Sequence, residues 1–158
     1  MREILFRGKR VDDGKWVCGC LVSIEAYNIK TTDGKTNQRV YCITKPYIPF
    51  EITVNDADNL DLALYRVTPK TVGQYTGYKI DDIKVFENDI AKVHLEIPYL
   101  PHQDKAIDDI GVVCFDTEDL RYYVVSNTGK KYALCYIKGI IGNIHDNPEL
   151  LESEVSTI

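Results

Sequence analysis

The stretch GVVCFDTEDLRYYVVSNTGKKYALCYIKGII, Gly111 to Ile141, alternates short runs rich in Val, Ile and Tyr with polar turns. β-Branched and aromatic residues suit a pleated, half-buried surface, and Asn-Thr-Gly-Lys at Asn127 to Lys130 has the chemistry of a tight turn. The spacing predicts three strands, at Gly111 to Phe115, Leu120 to Ser126 and Tyr132 to Ile141. Reading upstream, Asp81-Asp82 marks a turn and Ile83 to Phe86 a strand. The corner Glu87-Asn88-Asp89 leads into a strand over Ile90 to His94, with Asn88 a residue type that accepts a left-handed conformation.

The N-terminal part repeats the pattern. Glu3 to Arg7 and Trp16 to Ile24 flank the charged, glycine-containing run Lys9 to Lys15, which reads as a hairpin. Thr32-Asp33-Gly34-Lys35 marks a second turn before the strand Arg39 to Thr44. Pro46 to Leu60 is irregular, with room for a short strand around Ile52. Leu60 to Val67 alternates like a strand, a short helix being the competing reading. Thr68-Pro69 has the form of a helix cap, predicting one helical turn over Pro69 to Gln74. Leu95 to Ile110 reads as a long, proline-broken acidic loop, and Asn147-Pro148-Glu149 as the start of a short C-terminal helix over Glu149 to Glu154. Short strands joined by short turns predict a mostly antiparallel architecture of small barrels or sandwiches with little helix.

Composition narrows the function classes. A chain of 158 residues, 44% hydrophobic and 27% charged, can bury a core without disulfides or metals. Its five cysteines are odd in number and scattered, which suits reduced thiols rather than a secreted framework. No apolar run approaches a signal-peptide core or a membrane span, so a cytoplasmic protein with no membrane partner is expected. A net charge of -5 disfavours a general binder of phosphate backbones, though it leaves room for a local basic face. Eleven tyrosines fit both a β-rich fold and burial against a partner.

No motif for chemistry survives inspection. Gly34-Lys35-Thr36 ends like a phosphate-binding loop but has Ile29 where the first glycine belongs. Asp56, Asp58 and Asp61 resemble a calcium loop, yet Leu60 takes its fifth position and Val67 its twelfth. Cys18 and Cys20 share a strand face without a second ligand pair, and read as structural thiols. His94, His102 and His145 lie in separate segments. Neither catalytic residues nor a metal site nor a cofactor is expected. Trp16 reads as core, and Tyr122, Tyr123, Tyr132 and Tyr136 as a cross-strand ladder or, alternatively, a base-stacking surface.

The stretch V-T-P-K-T-V-G-Q-Y-T-G, Val67 to Gly77, resembles the signature of the YopX-like proteins of phages and prophages, and four further segments match in order. The family's start appears as Met1-Arg2-Glu3-Ile4-Leu5-Phe6-Arg7 with Lys15-Trp16-Val17-Cys18-Gly19, and its corner as Phe86-Glu87-Asn88-Asp89-Ile90. Its G-V-V strand appears as Gly111-Val112-Val113, and its ending as Ile141 to Leu151. Asn88 stands where the family has glycine, and the turn after Gly77 is shorter than the family's. The resemblance implies a β-rich fold with a small SH3-like barrel, a homo-oligomer and a phage or prophage setting, but no activity.

The expected fold is therefore mostly β, antiparallel, with a small SH3-like barrel and a short C-terminal helix. An N-terminal β-rich region would cover 1–66, and a small-barrel region with the 95–110 loop would cover 67–158. Within the signature, Gly73, Gly77 and Pro69 make shape, whereas Gln74, Tyr75, Thr76, Glu87 and Asp89 are the polar members available to line a binding site. The leading expectation is an oligomeric binding module that contacts a host or phage protein through the Leu95 to Ile110 loop or a sheet edge. Nucleic-acid binding by the small barrel is the alternative, and an enzyme ranks third.

Overall fold

Period-two alternation becomes eleven antiparallel β-strands in a computed structural model that describes residues 3–27, 37–44, 64–96 and 106–152. The chain divides into two units, Met1–Gln74 and Tyr75–Ile158. Among the described residues the helical content is confined to 3-10 turns, and no helix is long and apolar enough to cross a membrane.

In the first unit, β1 (Phe6–Lys9), β2 (Trp16–Tyr27), β3 (Asn37–Thr44) and β4 (Leu64–Arg66) pair antiparallel in the order β4-β3-β2-β1. The start of β5 (Gly73–Ile80) adds to the outer side of β1 through Phe6↔Gln74 and Arg7↔Gly73. The β1–β2 hairpin expected from the charged turn is present. Arg10 N–H donates to Lys15 O at 2.9 Å, and Gly14 supplies the left-handed residue at φ 68. The β2–β3 hairpin is also present, but its expected turn at Thr32 to Lys35 lies outside the described residues, as does the short strand around Ile52. A Cβ on Gly19 would sit 1.6 Å from the Thr44 carbonyl oxygen, so glycine there permits the close β2–β3 approach. Leu5, Ile43 and Val67 are buried in this unit.

The expected helical turn after Thr68 is a single 3-10 turn, Pro69–Thr71, without a side-chain cap from Thr68. Thr71 supplies the bonds instead: its Oγ1 donates to Thr68 O at 2.7 Å and accepts the Lys9 backbone N–H at 2.9 Å. The turn is thereby strapped to β1.

The second unit contains the rest of β5, then β6 (Ile83–Phe86), β7 (Asp89–Glu96), β8 (Ala106–Asp116), β9 (Arg121–Ser126), β10 (Lys131–Ala133) and β11 (Ile137–Asn143). The last five form a sheet in the order β10-β9-β8-β7-β11. Val85, Ala91, Val93, Val113, Val124, Tyr132 and Ile137 build its core. Asp81 and Asp82 form the expected turn with φ of 46° and 65°, and Asn88 is left-handed at φ 68 as its residue type suggested. Gly77, at φ 86, sits where the β5–β6 register shifts between Tyr75 and Lys79, a glycine-dependent bulge.

Four expectations are corrected here. The strand expected over Tyr132 to Ile141 is two strands separated by a 3-10 turn, Leu134–Tyr136, which takes the chain from the β9 edge to pair with β7. A continuous apolar run does not announce such a break. No ladder among the described residues joins β10 to β11, so the sheet is open rather than a closed barrel. The C-terminal helix is a 3-10 turn, Pro148–Leu151. Proline starts it, but Asn147 makes no side-chain cap; its Oδ1 lies 2.6 Å from where a Cβ on Gly142 would stand, engaged against β11 instead. The strands β7 and β8 also run further than expected, pairing Glu96 with Ala106, and the intervening 97–105 lie outside the described residues.

Candidate functional site

The five residues singled out from the sequence fall on β5 and on the turn from β6 into β7. Gln74 is half-buried in the first unit opposite Phe6. Tyr75 is buried, its ring 5.6 Å from that of Phe86. Thr76 is buried too; its Oγ1 donates to Val85 O at 2.9 Å and accepts the Tyr78 N–H at 3.1 Å. Glu87 is half-buried in the turn before β7, and Asp89 is buried with its Oδ2 accepting the Phe86 N–H at 2.7 Å. Tyr75, Thr76 and Asp89 thus converge on Val85 and Phe86, with Glu87 on the adjoining turn. This corner ties polar side chains to backbone, which buried polar groups require. Burial pushes the nearby Cys114 thiol up, and the Glu87 carboxylate adds to that.

The tyrosines do not form a four-membered ladder. Tyr132 faces the core, and its hydroxyl donates to Asp109 Oδ2 at 2.7 Å. Tyr123, opposite Cys114 and Ala133, donates to Asp119 at 3.1 Å and lies under the Lys131 ammonium. Tyr122 stands edge-on to Phe115 at 5.0 Å, and Tyr136 lies in the 3-10 turn. Period-two alternation separates Tyr122 from Tyr123.

A different surface gathers cations and an aromatic ring. In the β1–β2 hairpin Lys9 stands opposite Trp16 and Arg7 opposite Cys18, so these four side chains share one face. Gly8, on the other face, approaches buried Val67 and Ile43. On the first face the Arg7 guanidinium lies 4.9 Å from the centre of the Trp16 ring and the Lys9 ammonium 5.6 Å from it. Cys18 and Cys20 continue this face and are exposed. Trp16 was expected in the core; it is half-buried and serves as the platform under two cations. The expected hairpin, carried to its register, would have revealed the arrangement, since Arg7 and Lys9 alternate across from Trp16.

At the end of β1 an open groove of ≈ 430 Å³ is lined by Arg10, Val11, Asp12, Tyr65 and Arg66. Arg10 lies 4.7 Å from the Tyr65 ring centre, but its guanidinium is held by Asp12, with Nε to Oδ1 at 2.9 Å, and by Asp13 at 3.4 Å. The pairing raises the Arg10 pKa and lowers that of Asp12. This groove is self-neutralised by the Arg10–Asp12 and Arg10–Asp13 pairs. Among the described residues no group of three or more His, Cys, Asp or Glu stands together to hold a metal. The calcium-like Asp56, Asp58 and Asp61, the Gly34-Lys35-Thr36 run and the tip of the long loop lie outside the described residues.

No curated protein and no solved structure matches the chain. The family model described as YopX protein matches residues 5–152, a span that includes the β1–β2 face, the Val67 to Gly77 signature and the Phe86 to Ile90 corner. The chain belongs to the YopX family.

Proposed function

We propose that the protein is a cytoplasmic accessory protein of a phage or prophage that acts as a homo-oligomeric binding module and holds an anionic partner on the outer face of β1–β2. The observation that carries this reading is the placement of Arg7 and Lys9 over Trp16 on one strand face. The β1–β2 register brings both cations to the side of the hairpin that carries the aromatic ring. The corner residues Thr76 and Asp89 support the reading from the other side, since their oxygens bond backbone groups of the fold.

For the second unit we favour an SH3-like reading. The meander β7-β8-β9-β10, the 3-10 turn Leu134–Tyr136 and the return of β11 to β7 support it. Family membership supports the phage or prophage setting.

Chromatography on a cation exchanger at pH 7 tests the anion-binding surface. An acidic protein with a localised basic face is retained at low salt, and the Arg7→Ala/Lys9→Ala double variant elutes earlier. Flow-through of the unmodified protein, or identical elution of the two, contradicts the reading. Native mass spectrometry of the same preparation tests the homo-oligomer, and a monomer mass alone would remove it.

A further inference from the structure

We propose that the tip of the β8–β9 hairpin is a contact between two copies of this chain related by a two-fold axis, in which Leu120 of each copy packs on Phe115 of the other and Glu118 meets Arg121. This rests on the homo-oligomer reading above and names one of its surfaces.

Leucine at position 120 is unfavourable in two ways. Its φ of 54° lies in the left-handed region, which a side chain with a Cβ resists, and it is 74% exposed. Every other non-glycine residue with positive φ among the described residues is Asp or Asn, the types that tolerate that conformation. The turn does not need the leucine either. It is closed by Asp116, whose Oδ1 accepts the N–H of Glu118 at 2.8 Å and that of Asp119 at 3.2 Å. An apolar side chain held out to solvent on an unfavourable backbone points to a contact outside the fold.

The surface beside it is apolar too. Phe115 and Tyr122 stand opposite each other with their rings 5.0 Å apart, on the same strand face as the core residues Val113 and Val124 two positions inward. The core side of β8–β9 thus continues past the core, and Phe115 is 41% exposed there.

Charge says what covers this end. Glu118 and Arg121 lie on either side of Leu120 in the chain, both are exposed, and neither side chain has a hydrogen bond or ion pair among the described residues. A partner of a single charge would be repelled by one of them. A second copy turned about a two-fold axis at the hairpin tip sets each Glu118 against Arg121 of the other and makes both pairs at once.

Sedimentation velocity of the full-length protein over a range of concentrations reads the contact, with thermal unfolding followed in parallel. Leu120→Asn separates association from folding. Asparagine accepts positive φ, so the variant is expected to melt no lower than the unmodified protein, yet to self-associate about a hundredfold more weakly because the pair loses two buried leucines. Glu118→Arg and Arg121→Glu each set like charges against one another and weaken association about tenfold, whereas the double variant restores it to within about threefold. The charge variants sit at exposed positions and read the contact even if Leu120→Asn fails to fold.

Sedimentation as a monomer at every concentration overturns the homo-oligomer reading and this contact with it. An oligomer that Leu120→Asn and both charge reversals leave unchanged overturns this contact alone. Melting of Leu120→Asn below the unmodified protein assigns the leucine to the fold, and a double charge variant as weak as the single ones removes the pairing of Glu118 with Arg121; either result overturns the proposal.

Discussion

Asp89 Oδ2 accepts the backbone N–H of Phe86 at 2.7 Å, from a carboxylate that is only 2% exposed. A buried carboxylate three residues after its donor closes the turn from β6 into β7 and fixes where both strands begin. Replacing it by alanine leaves the Phe86 donor without this acceptor. Asp89→Ala is expected to lower the free energy of unfolding by about 1–3 kcal/mol in urea denaturation. A loss below that range would show that the bond does not hold the corner.

Asn88, between those residues, is left-handed at φ 68 while its N–H donates to Val113 O at 2.9 Å and its O accepts the Ile144 N–H at 3.0 Å. The backbone bonds persist in any substitution, so only the cost of positive φ changes. Asn88→Ala is expected to destabilise by about 1 kcal/mol and Asn88→Gly to be neutral or stabilising, both read from thermal unfolding. Equal melting of the two variants would contradict the strain argument.

Gly19 faces the Thr44 carbonyl oxygen so closely that a Cβ would stand 1.6 Å from it. Backbone cannot yield as a flexible side chain can. Gly19→Ala is expected to cost about 3 kcal/mol or more, as overpacking does at its upper end. A soluble variant with an unchanged melting temperature would show that β2 and β3 separate freely.

Tyr132 titrates far from its ordinary range: burial first, then the Asp109 hydrogen bond and charge, push its phenol up to about 12. A folded pKa raised above the unfolded value contributes stability in full below pH 10 that is lost as pH rises towards 12. Tyr132→Phe is expected to remove that alkaline loss and to cost about 1 kcal/mol at neutral pH through the missing hydrogen bond. Urea unfolding at pH 7 and pH 11 checks both.

His94 shows the same sign at the surface. Its Nδ1 lies 2.7 Å from Asp108 Oδ1 and its Nε2 3.5 Å from Glu96, and the Asp108 hydrogen bond is the main reason its pKa is raised above 6.5. The pair's contribution is complete below 6.5 and fades as pH rises through the raised value. Asp108→Asn is expected to bring the imidazole titration, followed by NMR, down towards 6.5.

Local chemistry made the hairpins legible: Gly14, Asn88 and Gly129 are turn residues with positive φ that join expected strands, and Asp81-Asp82 is the expected turn before β6. What escaped was set by distant pairing. Gly73 to Gly77 reads as punctuation, yet β5 is a strand because β1 pairs with its first residues and β6 with its later ones. The apolar run through Leu134 hides a 3-10 turn, because a change of partner strand leaves no periodicity signal. The polarity of Thr76 and Asp89 is plain in the sequence, but not that each bonds a nearby backbone carbonyl or N–H. Trp16 misled, since size argues for burial and only the β1–β2 register shows it on the outer face.

The most direct test of where this protein binds an anion is a 15N–1H NMR titration of the full chain with inorganic polyphosphate at low salt. The account predicts that the Trp16 indole N–H and the amides of Arg7 to Lys9 and Trp16 to Cys20 shift together, while those of Phe86 to Ile90 stay in place. Shifts concentrated at Tyr75, Thr76, Glu87 and Asp89 with an unmoved indole signal would contradict it and return the site to the β6–β7 corner.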